Sequence, residues 1–291
     1  MTAFKRIMIL LACLFPVAAT AQDFSNVQIT ATEIRGGIYL LQGQGGNIGV
    51  SIGGDGTMIV DDQFAPLTEK IQAAIAGIGG RGVNFVVNSH FHYDHTEGNP
   101  NFGRAGAYIV AQDNARKRME STQVLSSGRE QERYDAVGLP KITFFDDMRF
   151  YFNGQTVDLV NTGNGHTDGD AQIYWREANV MHTGDMFVRY TPPFIDQNNG
   201  GSMDGMIDAM SRLASIVNDD TVIIPGHGPL SNRQDMLDYR DMLVVIRGRL
   251  TRAKLDGLSA EEMLATEPAD GYAPNDDNTH QWLRRAYDEY R

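Results

Sequence analysis

Residues Asn88-Ser89-His90-Phe91-His92-Tyr93-Asp94-His95 place four imidazole or carboxylate groups within six consecutive positions. No other stretch restricts the chain as much. His90 and His92 are two apart, so an extended segment turns both rings to the same side. Single candidates follow at wide spacing: His166 in Gly-His-Thr-Asp-Gly-Asp, Asp185 in His-Thr-Gly-Asp-Met-Phe, and His227 in Pro-Gly-His-Gly-Pro. Imidazole with carboxylate suits zinc, with iron or manganese as alternatives. His90, His92 and His166 can form a three-imidazole site with its fourth position open, the pattern of catalytic zinc. Asp94, His95 and His227 can form a second site, and Asp185 can bridge the two through its two oxygens. Metal ions roughly 4 Å apart can share a water and make it a nucleophile at neutral pH. A lone histidine is ordinarily a core or surface residue. Here five of the seven histidines fall in these motifs. The other two read as ordinary: His182 as core or as support for the site, His280 as surface.

Hydrophobic periodicity places the motifs. Val27 to Thr32, Gly37 to Leu41, Ile48 to Ile52 and Thr57 to Asp61 read as strands, the last two as a hairpin around Gly53-Gly54-Asp55-Gly56. Pro66 to Ile78 has helical spacing and ends at Gly79-Gly80. Val83 to Val87 is a buried strand, and the histidine run begins just after its carboxyl end, where α/β proteins usually carry their sites. Tyr108 to Val110 is a strand, Asp113 to Glu120 a helix, and residues 121 to 140 are polar and irregular. Met148 to Phe152 and Gln155 to Val160 form a hairpin over Asn153-Gly154. Ala171 to Trp175 and Asn179 to His182 form the next strand pair. Met203 to Val217 is an amphipathic helix, Thr221 to Ile224 a strand, and Asn232 to Thr251 and Asn278 to Tyr290 are helices. The tip Gly45-Gly46-Asn47 reads equally as a flap over the site or as a plain turn. The glycines beside the candidates (Gly165, Gly184, Gly226, Gly228) read as tight turns that let backbone approach closely.

The first 21 residues read as a secretory signal: basic Lys5 and Arg6, apolar Ile7 to Val17, and Ala19-Thr20-Ala21 as a cleavage site before Gln22. Leu10-Leu11-Ala12-Cys13 offers a lipoprotein processing box as the less favoured alternative. Removing 21 of 291 residues leaves a 270-residue chain, residues 22–291, read as a single domain without linker or repeat. Cys13 is the only cysteine, so this chain has no thiol for a disulfide, a metal or a nucleophile. Losing Lys5 and Arg6 takes the formal charge from −12 to −14. Such acidity argues against nucleic acid and anionic membranes as partners. A small-molecule substrate in the periplasm is expected, with no membrane contact after signal cleavage and no obligate protein partner.

In this order, the His-x-His-x-Asp-His run, Gly-His-Thr, Gly-Asp and Gly-His-Gly resemble the metallo-β-lactamase superfamily, over roughly residues 26–230. The resemblance implies an α/β fold, the four-layer αβ/βα sandwich, and makes the ligand assignment above the usual one. It also implies that Asp61, at a strand end ahead of the site, orients a ligand histidine. The stretches Gly163-Asn164-Gly165-His166-Thr167-Asp168 and Ile173-Tyr174-Trp175 are similar to class B1 β-lactamases. Two positions depart from that class. Asp185 stands where it has a cysteine ligand, and His95 where it has an arginine. The resulting set resembles that of dinuclear thioesterases and lactonases. Val188 stands where many B1 enzymes have a carboxylate-binding lysine, and Arg189 beside it reads either as a substitute or as a solvated side chain. Phe194, Asn198 and Asn199 lie on a loop, Tyr190 to Gly201, expected to border the site and meet substrate.

The expectation is a hydrolase with two Zn2+, using Asp94 and Asp185 as catalytic carboxylates to open cyclic amides, β-lactams included, efficiently or weakly. A lactonase or acyl-thioester hydrolase is the alternative on the same site. An iron-dependent persulfide dioxygenase with one metal is a further one, and the complete second ligand set argues against it.

Overall fold

A computed structural model describes residues 22–289. The secretory-signal and lipoprotein readings, Cys13 included, lie outside the described residues. Among those residues no helix is long and apolar enough to cross a membrane.

The amino-terminal half forms β1 (Thr30–Arg35), β2 (Ile38–Gln42), β3 (Ile48–Gly53) and β4 (Gly56–Val60), then α1 (Thr68–Gly77) and β5 (Val83–Val87). Next come α2 (Tyr93–Thr96), α3 (Asn99–Arg104), β6 (Tyr108–Gln112), α4 (Asp113–Met119), the short strands β7 (Gln123–Val124) and β8 (Glu130–Gln131), and β9 (Ile142–Phe144). The second half runs β10 (Asp147–Phe152), β11 (Gln155–Val160), β12 (Gln172–Trp175), β13 (Val180–His182), α5 (Met203–Ile216), β14 (Val222–Ile224), α6 (Arg233–Leu255), α7 (Ala260–Ala265) and α8 (Asp277–Glu289). One sheet has the order β1-β2-β3-β4-β5-β6-β9 and the other β10-β11-β12-β13-β14. The β4-β5-β6-β9 pairings are parallel, as is β13-β14.

Period-two alternation makes four layers of these elements. Along β2 and β4, Ile38, Leu40, Met58 and Val60 turn inward and meet Leu159, Ile173 and Trp175 of the second sheet. Their neighbours Leu41 and Ile59 turn outward onto Leu67, Ile71 and Ile75 of the α1 region. On the far side, Met181 and Ile223 pack against Met206, Met210, Leu243 and Trp282 of the helices α5, α6 and α8. Helix, sheet, sheet, helix is the αβ/βα sandwich expected from the sequence.

Most elements lie where periodicity puts them. β1 is displaced from the expected Val27 to Thr32. Val27 and Ile29 pack onto the outer cluster beside the strand, whereas the residues of this edge strand are mostly exposed. α2, α3, β9 and α7 are additional, and the stretch 121 to 140, expected to be irregular, holds the paired short strands β7 and β8. α6 runs four residues past Thr251, to Leu255, and the chain turns at Gly257 with φ +73°. Asn153-Gly154 makes the expected two-residue turn, with φ +55° and +71°. The expected final helix reaches Tyr290, which lies outside the described residues.

Trp175 is fully buried between the sheets, over Gly49, where a Cβ would come within 2.9 Å of the indole. Trp175→Ala is expected to cost about 3–5 kcal/mol. A urea unfolding midpoint unchanged from wild type would show that the contact between sheets does not depend on this residue.

Candidate metal centre

Four loops leave the carboxyl ends of strands from both sheets and meet at one rim. The loop after β5 carries His90, His92, Asp94 and His95, and that after β11 carries His166. Asp185 follows β13 and His227 follows β14. All seven side chains come together. Donor atoms of His90, His92 and His166 lie within 4.8 Å of one another, as do those of His90, His95 and Asp185 and those of Asp94, His95 and His227.

Four of the five rings, those of His90, His92, His95 and His166, are fixed by what the outer nitrogen donates to. Asp196 Oδ2 accepts from His92 Nε2 at 2.9 Å, and the Phe194 carbonyl accepts from His166 Nδ1 at 2.7 Å. Asp61 Oδ2 accepts from His95 Nδ1 at 2.7 Å and from Ser89 Oγ at 2.7 Å. Ser89 Oγ, its proton given to Asp61, accepts from His90 Nδ1 at 3.0 Å. One carboxylate thus steadies a ring in each trio. With the outer nitrogens protonated, the inner ones are bare lone pairs.

This assignment tests whether a cation fits. His92 Nδ1 and His166 Nε2 face each other at 2.8 Å, where two lone pairs cannot bond. His90 Nε2 is buried without a partner. On the other side, His95 Nε2 is 3.2 Å from Asp185 Oδ1, and only a proton or a metal ion can stand between them. Asp185 Oδ2 lies 3.4 Å from His227 Nε2 and 3.8 Å from His166 Nε2, so this carboxylate sits between the trios. Asp94 Oδ2 is 3.3 Å from His227 Nε2 and 3.7 Å from His95 Nε2. The residues fit divalent ions.

The electrostatics divide in the same way. Burial, then the rings of His95, His166 and His92, hold His90 well below the usual imidazole range. Burial and His92 push His166 down to about 4. Burial works against a charge on His95 as well, but Asp185, Asp94 and Asp61 outweigh it and raise the ring well above its ordinary value. His227 is raised to about 9 against burial, by Asp185 and then Asp94. Burial would raise the Asp185 carboxyl, and the neighbouring His227 and His95 hold it well below the carboxylate range. One trio is neutral nitrogen, and the other is carboxylate-rich.

Glycines make the approach possible. A Cβ on Gly226 would come 1.9 Å from Asp185 Oδ1, and one on Gly46 would come 2.1 Å from His95 Cε1. The Gly45-Gly46-Asn47 tip is therefore packed against the site. Asn47 is buried, and its Nδ2 donates to the Pro225 and Gly228 carbonyls at 2.8 and 2.9 Å. Of the two readings of this tip, the structure has the pinned turn, which holds the His227 loop. His182 is buried and donates from Nε2 to the Asn47 carbonyl at 3.0 Å, so it supports the same turn. The His280 ring bonds the Asn275 side chain, at 2.6 Å.

The loop residues expected to meet substrate have other placements. Arg189 lies 3.3 Å from Asp235 in an ion pair. Asn198 is exposed and reaches the Val124 and Leu125 carbonyls, both at 3.3 Å. Asn199 is buried, donating to Asp196 Oδ2 at 2.8 Å and accepting from Arg118 at 3.2 Å, so both its polar ends are engaged. Phe194 does border the cluster, its ring centroid 5.7 Å from His92 and 5.9 Å from His166. Sequence reasoning passed over Asp196, Ser89 and Asn47. Asp196 was within reach: a ligand histidine needs an outer acceptor, and the loop expected to border the site holds a single carboxylate.

Residues 41–227 match the family described as the metallo-beta-lactamase superfamily, and the chain belongs to it. It is similar in structure to a metallo-beta-lactamase from Pontibacter korlensis, at 18% identity and TM-score 0.61, covering 74% of this chain and 99% of that one. The DIM-1 metallo-beta-lactamase is similar at 16% identity and TM-score 0.60, covering 75% and 98%. TMB-1 is similar at 16% identity and TM-score 0.58, covering 74% and 97%. At these identities the likeness is one of fold.

Removing the acceptor behind His92 is expected to loosen metal without emptying the site. Asp196→Ala should weaken zinc binding about 10–100-fold, read by competition with a chromophoric chelator. Unchanged affinity would mean that the ring is held by its packing alone.

Proposed function

We propose that this chain is an exported dizinc hydrolase that opens cyclic amides, β-lactams among them. The observation that carries this reading is the placement of Asp185 between a neutral three-imidazole trio and the Asp94/His95/His227 trio. These seven side chains would hold divalent ions, which would supply Lewis acidity and lower the pKa of a water toward neutral. The donors are nitrogen and oxygen only, a set that zinc accepts and that iron or manganese also accepts.

The chain's own part is orientation and proton handling. Water adds across the C–N bond, its hydroxyl going to the carbonyl carbon and its proton to the departing nitrogen. Asp94 Oδ2 is the carboxylate oxygen nearest the open side, its side chain 20% exposed. It can orient the water, hold its proton and pass it on. Asp185 is nearly enclosed, and ionised it only accepts. No serine, cysteine or lysine nucleophile is called for.

One observation favours a second reading, a lactonase or acyl-thioester hydrolase on the same site. The carboxylate of Asp185 occupies the place where the sequence comparison with class B1 puts a thiolate, leaving a pure His/Asp set. The same attack then expels oxygen or sulfur. The closeness of the second trio weighs against a single-iron dioxygenase. The signal-like first 21 residues support a periplasmic location, and the acidic balance supports a small-molecule substrate.

Zinc-loaded protein assayed on a cephalosporin, an acyl-lactone and a glutathione thioester is expected to turn over the cephalosporin at a rate comparable to or above the others, with zinc near two per chain. Lactone or thioester turnover without cephalosporin turnover would establish the second reading. Asp185→Ala is expected to lower bound zinc and rate together. Full zinc content and full rate in that variant would sink the dinuclear assignment.

A further inference from the structure

Beside the cluster, a cleft lies between the Tyr190–Gln197 loop and α8 that no step above uses. It encloses about 140 Å³, close to the ~150 Å³ cavity known to admit benzene. Pro192, Pro193, Phe194 and Ile195 line it from the loop, and Trp282 and Arg285 line it from the helix. Two loop residues join it to the metal centre. Phe194 borders His92 and His166, and the Tyr190 ring lies 5.8 Å from that of His227.

Trp282 is 7% exposed, and its ring adds to the apolar lining. Arg285 gives its backbone carbonyl to Gln197 Nε2 at 3.2 Å, while its guanidinium has no hydrogen bond or ion pair among the described residues. The nearby Glu289 carboxylate is already taken by Gln197 Nε2 at 3.0 Å and the Met203 amide at 3.3 Å. In a chain of formal charge −12, a guanidinium without an ion pair at the edge of an apolar cleft stands out. Arg189, the basic residue expected from the sequence to meet a carboxylate, is bound to Asp235.

We propose that this cleft binds a carboxylate-bearing apolar substituent of the substrate. The carboxylate meets Arg285, and the ring or chain lies on Phe194, Trp282 and the two prolines. Charge-assisted bonds to a planar fork give such a contact both strength and direction. The word substrate rests on the hydrolase reading above; the anion site itself does not.

The test separates the two. The chain has two tryptophans, and Trp175 is enclosed between the sheets, so fluorescence changes on binding report Trp282. Titration with 3-phenylpropionate is expected to give a saturable change that Trp282→Phe abolishes. Arg285→Ala and Arg285→Gln should weaken it about 10–100-fold. The neutral 3-phenylpropanamide should bind wild type and both variants alike. In turnover, Arg285→Gln should raise KM for a carboxylate-bearing substrate and leave kcat, and the KM of its methyl ester, unchanged. Saturable, Arg285-dependent binding without turnover of any substrate would remove the hydrolase reading and keep the cleft. Turnover with no saturable 3-phenylpropionate binding, or with equal binding in the Arg285 variants, would overturn the cleft.

Discussion

The centre depends on where four protons are kept. Asp196, the Phe194 carbonyl, Ser89 and Asp61 each hold the outer N–H of an imidazole, and this obliges the inner nitrogens to present lone pairs to one another. Ligand identity alone would not achieve it. A histidine free to flip could turn its N–H inward and satisfy itself on a neighbour. The acceptors themselves are buried, which is costly unless every oxygen is used. Asp61 shows how fully they are used. It takes Ser89 N at 2.7 Å on Oδ1, and Ser89 Oγ and His95 on Oδ2. Its backbone sits at φ +64°, a conformation that side chains other than glycine adopt sparingly. A strained backbone next to a fully committed carboxylate is what a site enforced by its surroundings looks like.

That enforcement requires both sheets. Asp61 and the histidine run leave the first sheet, whereas His166, Asp185 and His227 leave the second. The layers of apolar side chains between the sheets set their separation, and close contacts at the rim convert it into donor geometry. Gly226 lies against Asp185 and Gly46 against His95, and the Asn47 side chain ties the first tip to the His227 loop. A shift of one sheet over the other would spread the two trios before it exposed much apolar surface. Metal affinity is thus a finer gauge of the packing between the sheets than unfolding is.

What could be read in advance follows the same division. Strands and helices with strong periodicity stood out because one face of each must be apolar, and the seven metal-type side chains stood out because their types and order are improbable by chance. β1 slipped because edge strands are mostly solvated and carry little pattern. α7 was legible and overlooked: Ser259 and Glu262 form a reciprocal cap, visible as Ser-x-x-Glu. Asn199 and Arg189 looked like free polar groups on a loop. Their partners, Asp196 with Arg118 and Asp235, come from parts of the chain that only the folded structure brings close. A side chain's type is written in the sequence, but whether it is already committed to a neighbour is a tertiary fact.

Exposure gives the centre a direction. The rings of His90, His92 and His166 are buried, whereas the side chains of Asp94 and His227 are 20% and 23% exposed. The open side is therefore the carboxylate-rich one, where Asp94 is the carboxylate that solvent reaches. Tyr190 flanks His227 there, and Phe194 flanks the imidazole trio. Both rings belong to the loop that also walls the cleft against α8. Reacting bond and remote substituent would then meet one loop, with the binding energy gained at Arg285 shared by bound substrate and transition state, so that it acts on KM rather than on kcat.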